Sequence, residues 1–578
     1  MKLILTEYLS SLRERDELDA LMPTLLSELG FTVLSRPGRG TRQYGVDFAA
    51  VGPDDKGERS VFLFSIKAGN LDRAHWNDGD QALRPSLDEI QDVYIPRRIP
   101  VKLRDLKVVI CICFGGRMLE NVQDQIEGYA EKRTTDRLSF ETWNGDKIAG
   151  LLLDGALREA VLPEELKASF RKAVAMVDEP DVSVRHFEDL VEALSKRAKA
   201  SGKATVTAAR QAYIALWTLY VWGRTADNIE APYQASELCV LTAWEFLKPY
   251  IGKTTQDAKA MTLAFKSIEH LHQTILLAYI GDKILPHVGK QHGLSLAVGT
   301  RSPLDVNLRM FEVLGRLSLL GLWRICAIQR SGKQATPQDL RFFKEIVEAG
   351  IKLIDNNPSL CLPIRDDQAV EIALFLHLWW QTYSDRRPGH DWIVEMVGRL
   401  DVTLALHGRY TCVLTNYADL AIHPAEKTKA YREEVTGGST LIPMLAAYCV
   451  ALGDGETLAR LTRIHTRMLA HCNLQTWIPD EDSEAAIYVG GASHGVALSD
   501  LPLTDTGAEL VEILWGEVMD GQAWSRLSAI STGYWPVLLL ACRRHRLPVP
   551  PQVWIAGAAE ALGLNEPKPG AGPSNEAE

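Results

Sequence analysis

Three residues are of types and spacing that could do chemistry together: Asp47 in GTRQYGVDFAAV, and Ser65 and Lys67 in FLFSIKAGNL. An aspartate stands on one apolar strand and a lysine at the end of the next. Hydrolysing a phosphodiester requires a water that loses its proton. It also requires stabilisation of the pentavalent phosphate and of the leaving oxygen. One or two divalent cations achieve this when oxygen ligands hold them beside the phosphate. Asp47 would supply an anionic oxygen and the backbone carbonyl of Ile66 a neutral one. Lys67 would stabilise charge on the phosphate or help to deprotonate the water. Side chains alternate along a strand, so Ser65 and Lys67 point the same way and can face Asp47 across a hairpin. Taken singly, Asp47 reads as a strand-start residue and Lys67 as a solvated lysine. Their joint occurrence is what favours a site.

Two paired strands must hold these residues, and the chain supplies them. VDFAAVG and SVFLFSIKA are joined by the turn PDDKGER and read as a hairpin. Before it, Leu18, Leu21, Met22, Leu25, Leu26 and Leu29 recur at helical spacing, with Pro23 expected to kink the helix and Gly30 to end it. FTVLSRP is a first strand and RGTRQYG a polar loop. PSLDEIQDVYI predicts a helix, KVVICICFGG a buried strand and ENVQDQIEGYAEKR a helix. LSFETWNGDKIAGLL predicts a strand that enters a helix through an Asn-Gly-Asp turn. Residues 1–155 therefore read as one α/β domain.

From residue 160 to 565 strand signals nearly vanish and helical apolar periodicity takes over, as in ARQAYIALWTLYVWG and STLIPMLAAYCVALG. All but two of the 14 Trp residues fall here, mostly on apolar faces, which assigns them to packing. No repeat of about 30–45 residues is evident, so the region reads as an irregular helical array. Residues 471–504 form an irregular or partly β insertion. Residues 566–578 read as a disordered tail.

The pieces LLSELGF, YGVDFAAV, FSIKAGNL and KVVICICF, closed by ETWNGDKIAGLL, resemble the PD-(D/E)xK nuclease superfamily, in particular its Mrr-like restriction endonuclease branch. The resemblance covers residues 10–155. It implies a restriction-endonuclease-like α/β domain, a mixed central sheet flanked by helices, here followed by a large all-α domain. It also implies cleavage of DNA that depends on Mg²⁺, with Mn²⁺ as a substitute. Carried over, Asp47 is the metal-binding acid and Lys67 the catalytic lysine. An acid on the first helix often completes such a site; Asp19 stands at about the matching distance, with Glu17 as its substitute. The chain departs from the pattern at Ser65, where the family usually has Glu, Asp or Gln. Serine is neutral and short, so it holds a metal weakly or through water. Three outcomes stay open. A first-helix acid compensates, or Ser65 holds a metal-bound water in a site awaiting a trigger, or the site is degenerate.

Basic residues flank this constellation. Arg36, Arg39 and Arg42, with Gly38 and Gly40, lie just before Asp47 and could approach a phosphate backbone. Arg73, His75 and Trp76 follow Lys67 and could make phosphate or stacking contacts. Arg97, Arg98, Lys102, Arg104 and Lys107 form a third stretch, whose two prolines place its first part in a loop. Each cluster reads equally well as a solvated loop.

Bulk properties limit the alternatives. The chain has 578 residues, 46% hydrophobic, and a net charge of -11. Residues 1–150 hold 21 Lys and Arg against 24 Asp and Glu. Neither part is a basic module, so any DNA contact is local or shared with a partner. Nine cysteines without CxxC spacing read as reduced, mostly buried thiols. The N-terminus lacks a signal peptide's apolar stretch, and LGRLSLLGLWRICAI is broken by Arg316 and Arg324, so a cytoplasmic protein with no membrane span is expected. His270 and His272 are two apart and would not share a helical face. Ser493 and His494 lack a nucleophile elbow, and no P-loop is present. Two functions remain. One is a DNA endonuclease of a prokaryotic restriction or anti-phage system, its helical domain acting as sensor, partner surface or oligomerisation element. The other is a non-catalytic adaptor whose nuclease-like fold binds DNA or protein.

Overall fold

The run SVFLFSIK is apolar on both faces, so the strand it forms must be covered on both sides. In the computed structural model it is β3 (Arg59–Lys67), buried throughout except at Arg59. β3 pairs antiparallel with β2 (Phe48–Pro53), which pairs antiparallel with β1 (Thr32–Ser35). On its other side β3 runs parallel to β4 (Lys107–Phe114), and β4 runs parallel to β5 (Leu138–Trp143). The result is a mixed five-stranded sheet in the order β1-β2-β3-β4-β5. The structure describes residues 6, 9–10, 18–35, 44–54, 56–77, 82–151, 164–199, 202–298, 302–491 and 495–564. Met1–Pro232 and Tyr233–Glu578 form two compact units.

In the first unit, one face of the sheet carries Ala49, Val51, Val61, Leu63, Ile110, Ile112 and Phe114. It packs on Trp76, Leu83, Leu87 and Ile90 from the segment after β3, and on Val122, Ile126 and Tyr129 from a helix at Glu120–Arg133. The other face is aromatic. Phe48 stacks on Phe64 at 4.4 Å, and Phe64 meets Trp143 edge-on at 5.1 Å. The first helix, α1 (Asp19–Glu28), packs on β1 and β2 and carries Pro23 inside it without ending there. The Asn-Gly-Asp turn is present: Asn144 Oδ1 accepts the Lys147 N–H at 2.8 Å and starts the helix Gly145–Leu151. Three further helices, Glu164–Ala175, Pro180–Ala198 and Gly202–Thr225, belong to this unit.

Two expectations are corrected. Trp76 is 2% exposed and meets Tyr129 edge-on at 5.4 Å, so it is core and offers no surface for stacking. The first part of IPRRIP is helical, Ile95–Arg98, not a loop. A π-helical turn at Ile90–Tyr94 precedes it, with Ile95 N–H donating to Ile90 O. The shift in hydrogen-bond register lets Pro96, which has no N–H, stand at the start of the next turn.

The second unit is helical around Pro303–Ser331. Arg316 on this helix is 2% exposed and stacks over Tyr233 and Tyr279 at 4.5 and 5.0 Å. Tyr233 donates to Glu237 Oε1 at 2.5 Å, and Arg543 pairs with the same carboxylate. Arg546 pairs with Glu371 and Asp367. Among the described residues no helix is long and apolar enough to cross a membrane. The insertion at 471–504 is partly β: Thr476–Ile478 pairs with Val496–Leu498. Ser493, His494 and the tail from 565 onward lie outside the described residues.

Replacing Arg543 by Met leaves the Glu237 charge buried with its closest cation removed. Chemical denaturation is expected to show a loss of about 3–5 kcal/mol. The double variant with Glu237→Met is expected to recover most of that loss.

Candidate active site

β3 runs on to Lys67, but β2 pairs with it only as far as Phe48 opposite Phe64. The peptide of Ile66 is left at the open end of the ladder, and Asp47 closes it. The Asp47 N–H donates to Phe64 O at 2.8 Å. Its Oδ2 accepts the Ile66 N–H at 2.6 Å. Asp47 and Phe48 thus both stand against Phe64, the two-against-one arrangement of a β-bulge, which re-aims a side chain. Within a strand the N–H and C=O of one residue leave on the same side. The Ile66 carbonyl is therefore turned to the edge that holds Asp47.

The chain must turn sharply to deliver Asp47. Tyr44 and Gly45 both have positive φ, 54° and 77°. A Cβ on Gly45 would stand 2.1 Å from Ser86 O, so only glycine fits there. On the other side of β3, backbone hydrogen bonds extend past the strand ends. Gly116 N–H donates to Gly69 O at 2.9 Å and Gly145 N–H to Gly116 O at 3.0 Å. Asn70 Oδ1 accepts the Arg117 N–H at 2.8 Å. A Cβ on Gly145 would lie 2.0 Å from Gly115 O. These contacts fix the end of β3 two residues beyond Lys67. The pair Gly115-Gly116 and the Asn144-Gly145 turn are their sequence signal.

Ser65 is 1% and Lys67 6% exposed, while Asp47 is half-buried. Burial pushes the Cys113 thiol up, and the charge of Asp47 adds to that shift, so the carboxylate is felt as far as β4. Asp19 is the first residue of α1. α1 is followed by β1, whose Thr32 pairs with Val51 near the end of β2. Arg73 is exposed at the start of the helix Arg73–Asn77. His75 beside it pairs with Asp72 at 2.7 Å. Arg97 and Arg98 are exposed, and Arg98 lies over the Tyr44 ring at 5.0 Å. Lys107 turns to Asp54 at 3.7 Å. Glu17, Arg36, Gly38, Arg39, Gly40 and Arg42 lie outside the described residues.

The structure thus joins Asp47 to the Ile66 peptide, with Lys67 next in the chain. It brings together no group of three His, Cys, Asp or Glu side chains able to hold a metal, among the described residues. His272, which the spacing sets on a different helical face from His270, is fully buried against Ser236 Oγ at 2.8 Å, and burial lowers its pKa to about 4. Neither the family models, nor the curated proteins, nor the solved structures compared with the chain give a match.

Two substitutions separate the structural part of Asp47 from its chemical part. Asp47→Ala strands the buried Ile66 N–H and is expected to destabilise the first unit by about 1–3 kcal/mol in a denaturant titration. Asp47→Asn keeps an acceptor oxygen and is expected to retain most of that stability. Gly145→Ala forces a methyl against the Gly115 carbonyl. Its expected loss is about 1–3 kcal/mol, read by the same titration.

Proposed function

We propose that the first unit is a metal-dependent phosphodiesterase acting on DNA, and that the helical part of the chain governs when it cuts. One observation carries the reading. The Asp47 carboxylate and the Ile66 peptide meet at 2.6 Å at the open end of β3, one residue before Lys67. The residues present suit a hard cation. The Asp47 carboxylate and the Ile66 carbonyl are both oxygen donors, the type that Mg²⁺ and Mn²⁺ prefer. Mg²⁺ is commonly held through one or two carboxylates, with water and substrate phosphate completing its shell. This pair therefore fits a single ion that the substrate helps to hold. Such an ion, when bound, acidifies a water and offsets charge on the phosphate.

The chain's own groups do the rest. The Ile66 N–H holds Oδ2 of Asp47 and so fixes where the other carboxylate oxygen points. Lys67 supplies fixed positive charge for the phosphate from a site largely shielded from water, where charge acts more strongly. Ser65 contributes a hydroxyl that can orient water. With the resemblance of residues 10–155, the reading fits an effector of a prokaryotic restriction or anti-phage system.

A second reading has its own support. Ser65 replaces a carboxylate, and no three-residue metal group exists among the described residues. These observations favour a non-catalytic adaptor that binds DNA or a partner protein through the same fold.

Plasmid cleavage by the full chain, with Mg²⁺, with Mn²⁺ and with EDTA, tests both. Metal-dependent nicking that Asp47→Asn and Lys67→Ala each lower by about a hundredfold or more is the expected result. DNA binding that ignores metal, EDTA and Asp47→Asn, with no cleavage, would replace the enzyme by the adaptor.

A further inference from the structure

In the second unit, the helix Lys429–Val435 and the residue after it are gripped by three histidines from three separate segments. Arg432 Nη2 lies 2.9 and 3.0 Å from the two ring nitrogens of His407 and donates to Leu404 O at 2.9 Å. Tyr431 OH lies 2.9 Å from His423 Nδ1, while His423 Nε2 lies 2.9 Å from Tyr410 O. His471 Nε2 lies 2.8 Å from Thr436 Oγ1, which itself donates to Arg432 O at 2.6 Å.

These partners fix protonation states. Arg432 Nη2, nearly equidistant from both nitrogens, lies over the His407 ring face, a contact that suits a neutral ring. A carbonyl accepts only, so His423 carries its proton on Nε2 and accepts from Tyr431 on Nδ1. Thr436 spends its one proton on Arg432 O, so His471 donates from Nε2. A second proton on His407 would set two positive charges about 3 Å apart.

We propose that these contacts form an acid-released latch, in which protonation of His407 against Arg432 frees the helix Lys429–Val435 from the unit. The surroundings agree. Burial and then the charges of Arg432 and Lys427 lower the pKa of His407. Burial lowers that of His423; the Tyr410 carbonyl opposes this and Arg409 adds to it. Burial lowers that of His471, where Glu433 opposes and Lys429, Arg432 and His465 assist. In each case the unfolded ring takes up its proton first. The latch therefore holds fully above about pH 6.5 and is lost as pH falls through the depressed values. Beneath it lies a cavity of about 30 Å³ whose lining includes Leu404, Cys412, Thr436, Ile464 and Cys472. Its lining also carries the buried Asp366, with Thr411 and Ser439, and release would open this space to solvent.

The two cavity cysteines report on the latch directly. Both are buried, as are Cys449 and Cys542 elsewhere in the unit. The full chain is treated with dithiodipyridine, which reacts with thiols in acid, at about pH 7.5 and about pH 5, and labelling is mapped by mass spectrometry. Cys412 and Cys472 are expected to label faster at the lower pH relative to Cys449 and Cys542. The gain is up to about tenfold per pH unit for each proton taken up. His407→Gln, an uncharged acceptor, is expected to label more slowly than wild type at the lower pH. His407→Lys is expected to label fast at both. Equal relative labelling at the two pH values would overturn the latch. So would all four cysteines opening together, or a wild-type pH response in His407→Gln.

Discussion

The first unit is organised around one unpaired peptide. β3 is longer than the partner on its β2 side, and Ile66 comes after the last paired residue. An N–H left there without a partner would carry the full desolvation cost of a buried donor. Asp47 meets it with a carboxylate, which makes a stronger acceptor than the carbonyl a regular ladder would have supplied. The bulge that allows this also removes Asp47 from the pleat and sets its charge on the sheet edge. Gly45 makes the approach, because Ser86 O occupies the space a side chain would need. The glycine crossings at 69, 116 and 145 hold the opposite side of the same strand end. Lys67 therefore stands at a strand end that backbone contacts hold on both flanks.

The serine at position 65 changes the electrostatics of that edge more than its shape. With a carboxylate there, two anions would have faced one lysine, leaving a net negative site. With serine, one anion and one cation remain among Asp47, Ser65 and Lys67. Ser65 is 1% exposed, and a charge buried there would have carried a desolvation cost that the neutral hydroxyl avoids.

The helical unit solves a different problem. Its central helix carries Arg316 in an otherwise apolar stretch, and the helix Pro536–His545 ends in the run Arg543-Arg544-His545-Arg546. The guanidiniums of 543 and 546 are matched by Glu237, Glu371 and Asp367 and stacked by Tyr233. Arg544 adds to the field at Glu237, and His545 reaches Tyr488 O at 3.1 Å. Four consecutive side chains thereby tie one helix end to three other segments. Buried pairs of this kind contribute little net stability over apolar packing, but each fixes which element lies beside which.

Apart from the short helix Arg73–Asn77, which read as a loop, the order of strands and main helices in residues 18–151 was legible from the sequence, because apolar alternation, helical spacing and the Asn-Gly-Asp turn are local properties. So was the helical character that follows, and a mostly buried set of cysteines, all nine of which are buried. Asp47 and Lys67 stood out by residue type and spacing. Their relation did not, since a bulge is a pairing event between two strands and leaves no mark on either alone. Trp76 read as a surface residue because it sits among charged and polar neighbours. The core cluster that claims it, with Tyr129, comes from a helix more than fifty positions later. The basic run at 95–98 read as a loop because Pro96 forbids a regular helix, and only the preceding π-turn shows how the helix absorbs it. Arg316 read as a break in an apolar segment. Tertiary packing instead buried it on Tyr233 and Tyr279, because a guanidinium can be sheltered by aromatic faces and distant acids that a linear reading cannot bring together.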